Sequence, residues 1–223
     1  MIRRVVVGVP ANDEEATVVD CLISIDRAAR ALPEIDTVIV LAADCCTDAT
    51  AVRAGKMTRM TTPLLVIDGT WGTAGGARAA AIAHGRHALG HADAAHTWIA
   101  TTDADTVVPP NWLARQLEHA AAGADAVAGI IELRDDHHRS PVAELSFRSI
   151  YRVGDGGSHD HVHGANLGVR ADWYDTVGGF VTSAIGHLPE AGEELSLGRF
   201  HFRVGRADRR RVQSFVVSVN ARS

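Results

Sequence analysis

Two aspartates near the middle of the chain carry the clearest chemical signal. Asp103 and Asp105 follow the apolar residues 98–100, which predict a buried strand, and Pro109 and Pro110 end the segment soon afterwards. In extended backbone the i, i+2 spacing puts both carboxylates on one side of the chain, where they repel each other unless a cation lies beside them. A hard divalent cation binds such oxygens and can in turn hold a diphosphate. A lone Asp-x-Asp is more often a solvated acidic turn, so the interpretation depends on its surroundings.

Composition excludes several classes of protein. The chain has 223 residues, of which 46% are hydrophobic and 22% charged, and this indicates one sizeable globular α/β domain. The formal net charge of −5 gives no indication of a nucleic-acid partner. The sequence has no apolar run long enough for a transmembrane segment, and the apolar run within residues 1–10 is too short for a signal peptide. Cys21, Cys45 and Cys46 suggest neither a disulfide framework nor a zinc site, so we expect a cytoplasmic protein.

The first half of the chain alternates between predicted strands and predicted helices. Buried strands are predicted at residues 2–9, 37–42, 64–68, 98–102 and 126–133, and helices within 18–32, 47–54, 69–85 and 110–123. An apolar stripe from Val18 to Leu32 marks the first helix, with Asn12 and Glu15 as its capping box. Strands and helices that alternate in this way predict a mostly parallel central sheet flanked by helices.

The second half of the chain has a less regular pattern. Helices are predicted at residues 141–152, 171–177 and 192–202, a loop rich in glycine and histidine at 153–164, and strands at 165–169 and 214–219. The sequence shows no internal repeat, linker or second core. We therefore expect one domain with a nucleotide-binding half and a more variable half.

Residues that could contact a ligand through a side chain or the backbone follow four of the predicted strands. They are Pro10, Ala11, Glu14, Asp44, Gly72, Arg78, Asp103 and Asp105. Parallel strands bring their carboxyl ends to one edge of a sheet, where ligands bind in open α/β folds, so this pattern favours a ligand site. Carboxylates suit a nucleotide base and ribose, while Gly72 and Arg78 suit phosphate. The plainer alternatives are a helix-dipole role for Asp44, an ordinary first-turn acid at Glu14 and helix–strand packing for the glycines.

Seven segments in this order resemble the inverting glycosyltransferases of family 2, which have the GT-A fold. They are PANDEE (10–15), DCCTDAT (44–50), GTAGGAR (72–78), DAD (103–105), HGANLGVR (163–170), GGF (178–180) and GEELSLGRF (192–200). The chain departs from the family pattern at Cys45-Cys46, where a small pair is usual, and at Glu194, where aspartate is usual. The resemblance runs from residue 5 to about residue 205, which is most of the chain.

The resemblance implies a GT-A fold, the Rossmann-like α/β fold of nucleotide-diphospho-sugar transferases, in a single domain over 1–223. Residues 1–105 would bind the nucleotide sugar and residues 106–223 the acceptor. The implied reaction moves a sugar from a nucleoside-diphosphate sugar to an acceptor hydroxyl with inversion, and it uses Mg²⁺ or Mn²⁺ on the motif at 103–105. The residues implied to contact the donor are Pro10, Ala11, Glu14, Asp44, Gly72, Arg78, Asp103, Ala104 and Asp105.

The second half would supply the catalytic base and a further metal ligand. Glu194 aligns with the base of the family, and Glu193 beside it is the competing candidate. Neighbouring residues of a helix point about 100° apart, so only one of the two could face the sugar. Histidine suits Mn²⁺, and the candidate ligands besides Asp105 and Asp103 are His201 or a member of the group His159, His161 and His163.

Three alternative functions remain open on the sequence alone. A sugar nucleotidyltransferase of related fold should carry a Gly-rich loop with Arg or Lys after the first strand, where this chain has PANDEE. A non-catalytic nucleotide-sugar-binding protein would differ only in its lack of turnover. A metallohydrolase built on HDHVH (159–163) would leave the nucleotide half unexplained. The lack of a Gln-x-x-Arg-Trp segment favours a small or soluble acceptor. The sequence leaves open the sugar, the nucleotide base and whether the chain forms a homodimer.

Overall fold

The structure, a computed structural model, describes residues 1–90, 93–129 and 166–175, together with the backbone of residues 194–197, 200–207 and 212–219. The chain divides into two units, one formed by Met1–Val127 with Gly164–Leu188 and the other by Ala128–His163 with Pro189–Ser223. The sequence predicted one domain over 1–223 with halves 1–105 and 106–223, and this remains a prediction. No helix among the described residues is long and apolar enough to cross a membrane.

The first unit is built on a six-stranded sheet in the order β3-β2-β1-β4-β6-β5. Its elements are β1 (Arg4–Ala11), α1 (Val18–Arg30), β2 (Asp36–Asp44), α2 (Thr50–Gly55), β3 (Leu64–Gly69), α3 (Ala74–Ala88), β4 (Thr97–Thr102), α4 (Trp112–Ala121), β5 (Ala126–Ala128) and β6 (Asn166–Arg170). Strands β1 to β4 run parallel, and β6 pairs antiparallel with β4. The predicted α/β fold with a mostly parallel sheet flanked by helices is confirmed.

The central strand β1 is buried on both faces. Val5, Val7 and Val9 pack into a core cluster with residues of α1 and α4, whereas Val6 packs with residues of α3 on the opposite face. This two-sided burial explains why the strand is a continuous apolar run rather than an alternating pattern. Burying one valine side chain stabilises the folded state by roughly 1.5–3 kcal/mol. The packed strands therefore give the loops at their carboxyl ends a rigid base.

Helix α3 approaches the sheet closely because small residues face the strands. Ala77 and Ala81 pack against the sheet, and a Cβ added at Gly85 would overlap Val6 and lie 3.1 Å from Val40 Cγ2. Side chains larger than these would push the helix away from the sheet. The contact therefore fixes the height of α3 above the strands, and with it the position of the polar residues in its first turns.

Strand β4 is held in place by a buried polar contact. The indole Nε1 of Trp98 donates a hydrogen bond to Gln116 Oε1 of α4 at 2.8 Å, and both side chains are buried. Gly168 of β6 lies beside this pair, and a Cβ at that position would come 2.6 Å from Trp98 Nε1. The contact joins the start of β4 to β6 and α4, and so fixes the strand that leads to the two aspartates.

The predicted capping box at the start of α1 is wrong. The helix begins at Val18, and no side chain caps it. Asn12 Nδ2 instead donates to the backbone oxygen of Asp44 at 2.7 Å, and Glu15 Oε2 accepts the Ala49 N–H at 3.0 Å. The two side chains thus form hydrogen bonds with the end of β2 and with the loop that follows it. Polar side chains near a strand end can bond to nearby backbone groups instead of capping a helix.

The second unit contains an antiparallel sheet of three strands, β7 (Glu194–Leu197), β8 (Phe200–Ala207) and β9 (Val212–Val219). The helix predicted over 192–202 is therefore wrong. Residues 200–204 read Phe-His-Phe-Arg-Val and so alternate between apolar and polar types, which is the period of a strand rather than of a helix. The strand predicted at 214–219 is confirmed by β9. The predicted helix at 141–152 and loop at 153–164 lie outside the described residues.

We predict that Gly85→Ala lowers the free energy of unfolding by roughly 1–3 kcal/mol, because the new methyl group would force α3 away from Val6. The matched control is Gly75→Ala in the same helix, where an added Cβ meets nothing within 4 Å. Alanine is the better helix former, so the control should be neutral or stabilising by up to about 1 kcal/mol. Urea unfolding followed by circular dichroism measures both values, and equal effects of the two substitutions would contradict the packing argument.

Candidate functional site

The carboxyl ends of four parallel strands meet at one edge of the first sheet. Ala11 at the end of β1 pairs with Ala43 of β2, and Asp44 at the end of β2 pairs with Gly69 of β3. Strand β4 continues the sheet on the other side of β1. The loops that follow these strands are therefore neighbours at this edge, and they cover residues 12–17, 45–49, 70–73 and 103–111.

Asp44 organises the loop that leads into α3. Its side chain is buried, and Oδ1 accepts the N–H groups of Trp71 at 2.7 Å and Gly72 at 3.0 Å. The Cys45 thiol donates to the same oxygen at 3.4 Å. Gly72 has a φ of +72°, a conformation that favours glycine. Within the described part of the chain, Asp44 Oδ2 receives no hydrogen bond, which leaves this oxygen free to accept one from a ligand.

Arg78 of α3 bonds to the first member of the acid pair. Its Nη2 donates to Asp103 Oδ1 at 2.7 Å, with 19% of the Arg78 side chain and 40% of the Asp103 side chain exposed. This guanidinium offsets the charge of one carboxylate and so reduces its repulsion of Asp105. Arg78 Nε is buried and lacks a hydrogen-bond partner among the described residues. The residue predicted to contact phosphate thus also supports the acid pair.

Asp105 is the exposed member of the pair. Among the residues that the structure describes, its carboxylate accepts one weak hydrogen bond, at Oδ1 from Thr106 Oγ1 at 3.3 Å. The extended backbone expected for this pair is replaced by a turn, which the Thr106 N–H closes on the backbone oxygen of Asp103 at 3.1 Å. Ala104 within the turn is buried, while Asp103 and Asp105 both reach the surface. An exposed carboxylate beside a second carboxylate is the hard oxygen set that Mg²⁺ and Mn²⁺ prefer. The described residues therefore fit a divalent cation at this point.

Acidic residues of the loops after β1 and β4 affect the ionisation of Cys21 in α1. Burial, together with the carboxylates of Asp105, Asp103 and Glu14, raises the pKa of the Cys21 thiol to about 12. Glu14 is half-buried, and its Oε2 accepts the hydroxyl of Thr17 at 2.8 Å. The backbone oxygen of Asp103 accepts the Cys21 thiol at 3.5 Å and that of Glu14 accepts the Val18 N–H at 2.9 Å, so both loops contact the start of α1.

A second group of possible ligand atoms joins the loops after β1 and β2. Atoms of Asp13, Cys46 and Asp48 lie within 4.8 Å of one another. The carboxylates are already hydrogen-bonded to backbone, since Asp13 Oδ1 accepts the Thr47 N–H at 2.6 Å and Asp48 Oδ2 accepts the Glu15 N–H at 2.9 Å. This group links two loops of the site. The sequence analysis missed it, because a bond from a carboxylate to a distant backbone N–H has no signature in residue types.

The remaining predicted site residues differ in what the structure describes. Pro10 and Ala11 are buried at the end of β1, so backbone groups are what this strand end offers a ligand. Glu194 lies in β7 and His201 in β8, where the backbone alone is described. Glu193 lies outside the described residues, and so do the three loop histidines, His159, His161 and His163. The structure thus places Glu14, Asp44, Asp103 and Asp105 at one edge of the first sheet. The catalytic base and the histidine ligand of the metal remain predictions.

Two family models match this chain. Residues 6–178 match the model described as glycosyl transferase family 2, and residues 163–221 match the model described as transporter associated domain. The two matches overlap at 163–178. Glu193, Glu194 and His201 therefore lie beyond the first match and within the second.

Similar proteins of known structure include a mannosyltransferase from Pyrobaculum calidifontis, solved with GDP-Man and Mn²⁺, at 22% identity and a TM-score of 0.50 over 84% of this chain and 47% of that chain. TarS of S. aureus has 18% identity and a TM-score of 0.49 over 78% of this chain and 29% of that chain. Among curated proteins, the magnesium and cobalt efflux protein CorC of Vibrio cholerae is 32% identical over 95 residues, which are 43% of this chain and 33% of CorC. The chain thus spans about a third of that curated relative.

The described sheet and its similarity to the mannosyltransferase structure show the GT-A fold that the resemblance implied. The family 2 match covers 173 of the 223 residues. It includes the carboxyl ends of β1 to β4 with Glu14, Asp44, Asp103 and Asp105, here called the acidic edge. The chain belongs to glycosyl transferase family 2.

Proposed function

We propose that this chain binds a nucleoside-diphosphate sugar together with a divalent cation and transfers the sugar to an acceptor hydroxyl with inversion. The observation that carries the proposal is one edge of the sheet, where Asp44 at the end of β2 and Arg78 of α3 lie beside the loop with Asp103 and Asp105. Membership of family 2 supports a nucleotide sugar as the ligand of this edge. A small or soluble hydroxyl compound is the proposed acceptor.

The residues at and after the carboxyl ends of β1 to β4 form the proposed donor site. Asp44 Oδ2 would accept the imino N–H of a uracil or guanine base, while its Oδ1 holds the turn at Gly72 in place. Glu14 and Asp103 would accept hydroxyls of the ribose. The backbone at Gly72 can approach a phosphate closely because glycine has no side chain, and Arg78 adds positive charge there.

Asp105 is the proposed direct ligand of the cation, with Asp103 beside it. The exposure of Asp105 and its single weak hydrogen bond support this assignment. A divalent cation held there would neutralise the negative charge of the departing diphosphate. His201 is proposed as an additional ligand, since imidazole suits Mn²⁺.

Glu194 is the proposed catalytic base, and Glu193 is the competing candidate. A carboxylate in this role takes the proton of the acceptor hydroxyl on the face of the sugar opposite the departing diphosphate. Strand β7 begins at Glu194, and the choice between the two glutamates is left to the substitutions below.

A second candidate function is a nucleotide-sugar-binding protein without turnover. It is favoured by the match of residues 163–221 to the transporter associated domain, because this region contains Glu194. Under this candidate the acidic edge still binds nucleotide and cation, but no sugar is transferred. The presence or absence of product formation separates the two functions.

We predict that Asp105→Ala abolishes sugar transfer and the metal-dependent part of nucleotide affinity, since the cation loses its direct protein ligand. Asp103→Ala should weaken nucleotide binding with a smaller effect on the rate. The matched control is Asp36→Ala, which removes an exposed aspartate at the start of β2, the opposite edge of the sheet. Calorimetric titration with UDP and GDP, with Mn²⁺ or with EDTA, measures the affinities. Near-normal turnover of Asp105→Ala with Mn²⁺ would contradict the proposed function.

We further predict that Glu194→Gln lowers the turnover rate by on the order of 100-fold or more and leaves donor binding intact, because glutamine keeps the shape but loses the basic oxygen. Glu193→Gln is the matched control and should retain most of the turnover. The reverse result would assign the base to Glu193. Donor binding by the wild-type protein without release of product from any UDP- or GDP-sugar would favour the second candidate function.

A further inference from the structure

We infer that helix α1 positions the acid pair through two side chains, Ser24 and Cys21, and that the affinity for the cation depends on them. This inference rests on the proposed function, because it concerns the cation proposed at Asp105. Residues 103–108, here called the acid loop, connect β4 to the segment before α4. Cys21 contacts Asp103 through its backbone oxygen and not through its carboxylate, and Ser24 contacts the backbone of Val108, so both are positioning residues.

Two hydrogen bonds join the acid loop to α1. Ser24 Oγ accepts the N–H of Val108 at 3.0 Å, and the thiol of Cys21 donates to the backbone oxygen of Asp103 at 3.5 Å. The two bonds therefore hold the two ends of the acid loop. Asp105 lies between these anchors, so its place depends on both.

These anchors lie in dry surroundings. Ser24 is 6% exposed and Cys21 is 0% exposed, while Val108 belongs to the same core cluster as Cys21. A buried N–H that loses its acceptor must move or bring in water, because an unsatisfied buried donor is costly. Removal of the Ser24 hydroxyl would therefore displace the end of the acid loop.

The direction of the Ser24 hydroxyl is fixed within α1. Its proton is donated to the backbone oxygen of Cys21 at 2.7 Å, so a lone pair is left to accept the Val108 N–H. Serine in the interior of a helix is less favourable than alanine. The bond to the acid loop gives a physical reason for serine at this position of the helix.

The middle of the acid loop is short and partly buried. Ala104 is buried, and the N–H of Thr106 closes a turn on the backbone oxygen of Asp103 at 3.1 Å. With both ends anchored and the turn closed, the backbone that carries the Asp105 carboxylate is held in one place. Divalent cations such as Mg²⁺ require ligands in a narrow range of distance and angle, so a displaced loop should bind them less tightly.

The test compares nucleotide binding with Mn²⁺ and with EDTA. For Ser24→Ala we expect an affinity for UDP or GDP that is about tenfold weaker in Mn²⁺, equivalent to about 1.4 kcal/mol, and unchanged in EDTA. Cys21→Ala should weaken the Mn²⁺-dependent affinity in the same direction. Cys21→Ser keeps a donor for the Asp103 oxygen and should restore it.

The matched control is Thr97→Val at the opposite end of β4. Thr97 is 3% exposed, and its hydroxyl donates to the backbone oxygen of Asp93 at 3.0 Å, so the control also removes a buried hydrogen bond. It should lower the melting temperature without changing the effect of Mn²⁺ on nucleotide affinity.

Two outcomes would overturn the inference, and they are distinguishable. If the wild-type protein binds nucleotide more tightly with Mn²⁺ and both Ser24→Ala and Cys21→Ala retain that gain, the inference alone fails. If Mn²⁺ does not change the affinity of the wild-type protein, the proposed metal site fails and the inference fails with it. A loss of the Mn²⁺ gain in Ser24→Ala and Cys21→Ala, but not in Thr97→Val, supports the inference.

Discussion

Two carboxylates only two residues apart in a short loop repel each other, and the site depends on how the chain offsets this repulsion. The Arg78 guanidinium bonds to Asp103 at 2.7 Å and so provides a permanent positive charge for one member of the pair. Asp105 has only a weak hydrogen bond from a hydroxyl and stays exposed. The division of roles follows from this asymmetry, since one acid is paired within the protein and the other remains open to an added cation.

The packing of the sheet makes this arrangement possible. Small residues on α3 let the helix lie close to β1 and β2, and this places Arg78 within reach of the end of β4. Asp44 holds the turn before α3 through two backbone N–H groups, so the same aspartate that is proposed to contact the base also supports the helix that carries Arg78. The donor site is therefore a set of connected loops, and a change in one of them would be felt in its neighbours.

The sheet was predictable because its strands are continuous β-branched runs, and its carboxyl edge followed from the geometry of parallel strands. The links that stabilise the site were not predictable. Asn12 and Glu15 fit a capping box, yet they bond to the loop after β2, and the contact of Ser24 with Val108 joins residues far apart in sequence. The helix predicted over 192–202 was wrong because the spacing of Leu195 and Leu197 is the period of a strand, and the alternation at 200–204 continues that period.

The central claim is that the acidic edge binds a nucleoside diphosphate through a divalent cation. A thermal-unfolding screen of the wild-type chain with UDP, GDP, ADP and CDP, each with Mn²⁺ or with EDTA, tests this claim most directly. A ligand that binds the native state at about 100 times its dissociation constant stabilises the protein by about 2.7 kcal/mol. We expect UDP or GDP to raise the melting temperature with Mn²⁺ and to lose most of that effect in EDTA. An equal rise in EDTA, or no rise with any of the four nucleotides, would contradict the claim.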